Sequence, residues 1–343
     1  MNDTFLKACR GDKVDYTPVW LMRQAGRYMK EYQEIRARVD FLTLCKTPEL
    51  AAKVTLQPID ILGVDAAILF SDILIPVEAM GIHLEFSEKK GPLLSEPVRN
   101  KSGVDRLAIP DTEDSMPFVL ETIKILRHEL ENRVPLIGFS GAPYTLSTYI
   151  IEGGSSKNFL HTKKMMYQNP GLYDGLLSKI TATVIEYLSA QIRAGAQAVQ
   201  LFDSWAGILT PFDYEEFIFP YVKTAIKALK KFDVPIIYFV NDCAGLIEII
   251  KKSGADVIGI DWRVDMARAV KSLGKKVSVQ GNLDPCVLFG PKEYIEERVQ
   301  DILNKAESAR GHIFNLGHGI LPETPVENAI AMVEAVHRLS RAL

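Results

Sequence analysis

The chain has 343 residues, 47% of them apolar and 24% charged, a balance that excludes an intrinsically disordered protein and supplies ample material for a core. A formal net charge of −3 carries no basic excess, so neither a nucleic-acid partner nor an anionic membrane surface is indicated, and any anionic ligand must be held by a few placed cations. Cys9, Cys45, Cys243 and Cys286 show no metal or disulfide spacing, the first residues lack the apolar core of a signal peptide, and no apolar run approaches the roughly 18 to 20 residues of a membrane span, so a cytoplasmic protein is expected.

Short apolar runs alternate with longer amphipathic stretches. The first run, PVWLM at 18–22, passes directly into RQAGRY, which sets Arg23 and Arg27 four residues apart. Helical spacing there would put both guanidiniums on one side, able to grip carboxylates or a phosphate; the plainer alternative is a surface pair answering Glu31 and Glu34. Residues 47–63 have helical periodicity, with Thr47 before Pro48 as a start signal. The second run, DAAILFSD at 65–72, closes in Asp72, which either caps a following helix or faces a site as a base, a ligand or an acceptor for N–H donors. Residues 76–112 break the rhythm, and strand-like stretches around a Lys-Lys-Gly turn signal predict a β-hairpin there.

A helical stretch at 117–132 leads to VPLIGFSG at 134–141, and residues 142–195 predict an elaborated loop over the mouth of the fold, running into helices. AQAVQLFDS at 196–204 closes in Asp203 and Ser204 with the same ambiguity as Asp72. The remaining runs are VPIIYFVND (234–242), DVIGIDW (256–262), KVSVQGN (276–282) and, after a helical stretch at 291–309, HIFNLGHG (312–319). Eight such runs, continuous in apolar residues and each followed by a helical stretch, predict an α/β fold: a single-domain (β/α)8 TIM barrel over 1–343 with a β-hairpin insertion after strand two at about 76–112. An open doubly wound sheet would want a Gly-rich dinucleotide turn after its first strand, which RQAGR matches poorly.

The working face of such a barrel lies at the carboxyl ends of its strands. That rule selects Arg23, Arg27, Ser71, Asp72, Ser140, Asp203, Ser204, Asn241, Asp242, Asp261, Asn282, Asn315 and His318. Gly317 and Gly319 flank His318 and would let backbone approach a ligand closely, as a phosphosugar site also requires. No run ends in the lysine a Schiff-base aldolase needs, and one well-placed histidine is too few for a metal hydrolase.

The segments PVWLMRQAGRY, GVDAAILFSDIL, GFSGAPYTLSTYIIEGG, LFDSWAG, QGNLDP and NLGHGILPETP stand in the order and spacing of the uroporphyrinogen decarboxylase family, and this resemblance spans nearly the whole chain. It implies a barrel enzyme, usually a homodimer, that removes carbon dioxide from the four acetate side chains of uroporphyrinogen III to give coproporphyrinogen III in haem biosynthesis, without metal or organic cofactor. Its partners would be the small tetrapyrrole substrate and a second copy of the chain, with no nucleic acid and no membrane. By motif, Arg23 and Arg27 would bind substrate carboxylates, the backbone of Gln24, Ala25 and Gly26 would line the same loop, and Asp72 would receive the pyrrole N–H groups. Tyr149, Ser204 and His318 would complete the pocket with Phe202 packing against the rings, and Arg23, Tyr149 and His318 are the candidates for moving protons. Two alternatives stand beside it. A corrinoid-dependent methyltransferase of the same superfamily would hold zinc through a His-x-Cys pair where this chain has Asn241, Asp242 and Cys243. A non-catalytic tetrapyrrole-binding protein would keep the arginine pair and shed Asp72 or Tyr149, and both are present.

Overall fold

Runs of apolar residues without polar alternation can form strands only where both faces of a sheet are covered. In the computed structural model, which describes residues 2–87, 91–131 and 133–341, seven of the runs do so in one parallel sheet. Its strands are β1 (Ala67–Ile68), β4 (Leu136–Gly141), β5 (Ala198–Asp203), β6 (Ile236–Val240), β7 (Val257–Gly259), β8 (Ser278–Gln280) and β9 (His312–Ile313), hydrogen-bonded in that order. Each is followed by helix before the next begins, the connection a parallel pair requires.

The sheet curls. Along β6, Ile236, Tyr238 and Val240 pack beneath the surrounding helices, whereas Ile237 and Phe239 join Trp20, Ile137, Ala198, Val257 and Ile313 in a separate inner core. The Thr4–Arg10 helix contributes Phe5, Leu6, Ala8 and Cys9 to that inner core. Polar side chains cross it as well: Trp20 Nε1 donates to Gln280 Oε1 at 3.0 Å, and Gln280 Nε2 donates to Gln200 Oε1 at 3.1 Å.

The run at 18–22 differs from the others in making only an isolated parallel bridge, Val19 with Phe314. Its backbone nevertheless reaches both edges of the sheet, because Phe314 N donates to Pro18 O at 2.8 Å and Asp65 N donates to Val19 O at 2.8 Å. Asp65 fastens this junction through its side chain, accepting from Val19 N and Tyr16 Oη at 2.8 Å, from Asn2 Nδ2 at 3.0 Å, and lying 2.7 Å from His337 Nε2. A buried carboxylate with that many partners is structural.

The predicted hairpin is present as an antiparallel pair, β2 (Leu84–Ser87) with β3 (Gly91–Leu94), while Lys89 and Lys90 of its turn signal lie outside the described residues. Residues 142–195 form three helices, Pro143–Glu152, Leu160–Gln168 and Pro170–Ala194, rather than a loop that merely leads into helices. Each of the outer two starts on a proline whose missing N–H has no helical partner to lose.

Candidate active site

RQAGRY does not form the helical turn that its i,i+4 spacing would allow. Residues 21–29 form turns, Arg23 takes the left-handed backbone conformation with φ of 62°, and helix begins only at Lys30. Gln24 explains the difference. Its buried side chain accepts from Leu21 N at 3.0 Å and donates to Ala66 O at 3.1 Å, so it folds back on the chain just before it and ties the loop to the start of β1. Tyr28 Oη closes the turn by donating to Gln24 O at 2.7 Å, and a Cβ on Gly26 would come within 2.9 Å of the Arg23 carbonyl oxygen. The two arginines thus project from a pinned loop.

A second loop fixes Arg23 from above. Met22 N donates to Asn315 Oδ1 at 3.1 Å and Ile320 N donates to Met22 O at 2.9 Å, which lays the Arg23 side chain across Gly319. A Cβ at 319 would stand 2.4 Å from Arg23 Cδ. Gly319→Ala is therefore expected to displace the guanidinium and raise KM for a polyanionic substrate about tenfold, roughly 1.4 kcal/mol, with the thermal midpoint nearly unchanged. A KM within twofold of the native value would show that the position of Arg23 does not matter.

These loops wall a cavity of about 1800 Å³ at the carboxyl ends of the strands. Arg23, Gln24, Ala25, Gly26, Arg27, Asp72, Tyr149, Phe202, Ser204 and His318 all line it. Arg36 and Arg38 do too, together with an aromatic wall in which Phe41 lies 4.6 Å from Phe86 of the hairpin and 5.9 Å from Phe70, centroid to centroid. Sequence reasoning missed these. Arg36 and Arg38 carried a signal, being further cations just downstream of the arginine pair, but the hairpin's approach is tertiary. Arg23, Arg27 and Arg38 make no ion pair among the described residues, including with Glu31 and Glu34. Unpaired guanidiniums around a cavity are what a polyanion would neutralise.

Asp72 is the half-buried carboxylate among them. Its Oδ1 accepts from Leu74 N at 2.8 Å. Burial lifts its pKa to about 6 against the opposing pull of that N–H and of Arg23, so it is ionised at neutral pH but close to taking up a proton. His318 lies between Phe239 and Trp262, with ring centroids 6.2 and 6.3 Å away; burial, then Arg23 and Arg263, bring its pKa down to about 4, so its imidazole is neutral. Burial also raises the Tyr149 phenol, which therefore keeps its proton. Phe202 is wedged edge-on between Phe139 and Phe239 at 5.6 and 6.0 Å.

The strand-end rule also picked groups that belong to the framework. Asp261 is buried, pairs with Arg263 at 2.6 Å and accepts from Asp242 N at 3.0 Å, while Asn282 Nδ2 donates to Asp261 O and Val264 O. Cys243 is buried with its thiol on Asp261 Oδ1 at 3.7 Å, and among the described residues no three of His, Cys, Asp and Glu gather as a metal ion would need. No helix among them is long and apolar enough to cross a membrane.

A curled parallel α/β sheet whose strand ends open into a cavity where, among the described residues, arginines without ion pairs surround the half-buried Asp72 defines an enzyme-like site for a large polyanion. A sequence model of the uroporphyrinogen decarboxylase family matches residues 1–339. The chain is 57% identical over 341 residues to a uroporphyrinogen decarboxylase of Geobacter metallireducens, covering 99% of this chain and all of that one. Similar enzymes of Geobacter sulfurreducens and Carboxydothermus hydrogenoformans are each 56% identical, covering 99% of this chain and 100% and 97% of theirs. Among solved structures, a methyltransferase from Methanosarcina mazei superposes with a TM-score of 0.84 over 98% of both chains at 21% identity, and a B12-independent methionine synthase from a Shewanella species with 0.58 over 86% of this chain and 89% of that one at 12% identity. Those two share the fold. The chain belongs to the uroporphyrinogen decarboxylase family.

Proposed function

We propose that this protein decarboxylates uroporphyrinogen III to coproporphyrinogen III in haem biosynthesis, acting in the cavity at the strand ends. The observation that carries the assignment to this cavity is the placement of Arg23 and Arg27, free of ion pairs among the described residues, around the half-buried Asp72. The substrate brings eight carboxylates. With a net charge of −3 the protein offers no general attraction for them, so the cations have to be concentrated at the site.

The chemistry asks little beyond such placement. Protonating the ring carbon next to the one that bears the acetate turns the pyrrole into a cationic imine. The bond to the carboxylate then breaks, its electron pair moves into the ring, and carbon dioxide leaves. The exocyclic methylene takes up a proton to become methyl, the first proton departs, and the ring is aromatic again, with one proton consumed per carbon dioxide. The electron sink is the substrate, and the scheme calls on no metal or organic cofactor. Ionised Asp72, accepting the pyrrole N–H groups, stabilises the cation more than the neutral ring. Arg23 and Arg27 orient the carboxylates, with Gln24, Ala25 and Gly26 shaping their loop. Tyr149 and His318 are the groups able to pass protons, Phe202 meets the rings, and Ser204 borders the same space.

The same reading takes residues 18–22 as the strand that closes a single-domain (β/α)8 barrel over 1–343, with the hairpin as its insertion, and the protein as a cytoplasmic homodimer. Support for closure comes from the backbone bonds of Pro18 and Val19 to both sheet edges. The homodimer is what the family resemblance implies, and the compartment is inferred from four scattered cysteines without disulfide spacing.

The test is anaerobic incubation with uroporphyrinogen III, followed by oxidation and chromatography of the porphyrins. Accumulation of the four-carboxylate product is expected. Folded protein that yields none would overturn the proposal.

A further inference from the structure

Beneath Tyr149 and Ser204 lies a buried polar network that touches no cavity wall of its own. Asp203, the last residue of β5, is fully buried, as are Thr145, Tyr214 and Tyr238. Asp203 Oδ1 accepts from Thr145 Oγ1 at 2.8 Å and from Thr145 N at 3.3 Å, and Asp203 Oδ2 accepts from Tyr238 Oη at 2.7 Å. Tyr238 and Tyr214 hydroxyls are in turn 2.7 Å apart. Thr145 Oγ1 is used twice, since it also accepts from Trp205 N at 3.2 Å.

The placement of these bonds is specific. Thr145 lies in the first turn of the Pro143–Glu152 helix, four residues before Tyr149 and so on the same helix face. Trp205 follows Ser204 directly, and its ring lies 6.3 Å from that of Tyr149 and 5.3 Å from that of Phe159. One threonine hydroxyl therefore joins the helix carrying Tyr149 to the carboxylate before Ser204 and to the backbone N–H after it. We propose that Thr145, held by Asp203, is a positioning residue that sets Tyr149 against Ser204 across the cavity and acts on catalysis only through Tyr149. Burial raises the Asp203 carboxyl to about 6 against its three donors, so losing the Thr145 hydroxyl would weaken its ionised state as well. The inference rests on the assignment of Tyr149 to the reaction, and its test separates the two.

Thr145→Val keeps the shape and removes the hydroxyl, Thr145→Ser restores it, and Tyr238→Phe injures the same carboxylate from the side away from Tyr149. Turnover of uroporphyrinogen by Thr145→Val is expected to fall about 10- to 100-fold with KM within about threefold, a misplacement effect, and Thr145→Ser to return it to within about threefold of native. Tyr238→Phe is expected to lower the melting temperature and leave turnover within about threefold. In combination with Tyr149→Phe, the valine should add nothing further to the loss. Independently of substrate, protein labelled with 3-fluorotyrosine should show a ¹⁹F resonance, identified by its loss in Tyr149→Phe, that moves in the valine variant and returns in the serine variant. If the valine variant does not fold, Thr145→Ala, which leaves room for a water, carries the same comparison. Additive losses, an unmoved resonance, or an equal loss of turnover in Tyr238→Phe would overturn the proposal. Lack of any decarboxylation by the native protein would instead refute the functional assignment, with the resonance still deciding the positioning.

Discussion

Asp72→Asn is expected to lower turnover of uroporphyrinogen by about 10²- to 10³-fold while leaving KM within about threefold, the pattern of a group that stabilises charge only as it develops. The substitution is nearly isosteric, and Asn Oδ1 can still accept from Leu74 N, which the native Oδ1 holds at 2.8 Å. What it removes is the negative charge that the proposed mechanism sets opposite the ring nitrogens. The neutral tetrapyrrole core loses one acceptor of modest strength, whereas the protonated ring loses its counterion. Turnover within threefold of native would remove Asp72 from the mechanism.

The same carboxylate makes a separate prediction about pH. Its folded pKa of about 6 lies above its ordinary 3.8, so the folded protein binds the proton more tightly than the unfolded chain does. Stability therefore falls as pH rises between those values and stays reduced above about 6, and Asn relieves that cost. Because the group is half-buried beside a solvated cavity, about 1–2 kcal/mol is expected rather than the nearly 3 kcal/mol of the full shift. Asp72→Asn should melt later than native protein at pH 8 and match it near pH 4, readable by calorimetry. In native protein kcat/KM should fall about tenfold per pH unit below about 6, and this limb should vanish in the variant. His318, already neutral down to about 4, cannot supply it.

Much of the site was legible because the fold rule is geometric. Knowing that strand ends face the cavity was enough to find Arg23, Arg27, Asp72, Ser204 and His318, all of which line it. The same rule could not separate them from Asp203, Asp261 and Asn282, which also end strands but are buried in hydrogen bonds. That difference depends on neighbours such as Thr145, Tyr238 and Arg263, which sequence order does not bring together. Tyr149 and Phe202 came from motif resemblance, since neither a tyrosine in a helix nor a phenylalanine in a strand announces a site. The i,i+4 spacing of RQAGRY leaves open whether a helical turn forms, because the pattern is ambiguous where a glutamine folds back on its own backbone. The hairpin was read from its turn chemistry, but its place beside Phe41 needed the packed structure.

Arg23→Asn should raise KM about 30- to 100-fold, roughly 2–3 kcal/mol, with turnover within tenfold, the loss of one charge-assisted contact to a substrate carboxylate. Asparagine is chosen because Arg23 sits at φ of 62°, a conformation that costs a long side chain about 1 kcal/mol or more and that Asn accepts readily. The melting temperature should accordingly hold or rise, so weakened binding cannot be blamed on the fold. Two further readouts tie the effect to charge. Arg23 depresses the pKa of Asp72, so in the variant the acid limb of kcat/KM should move above its native position near 6. Added salt, which screens guanidinium from carboxylate, should raise KM steeply for native protein and less for the variant. If KM and its salt dependence are both unchanged, Arg23 points into the cavity without holding the substrate, and the anchoring charge belongs to Arg27, Arg36 or Arg38.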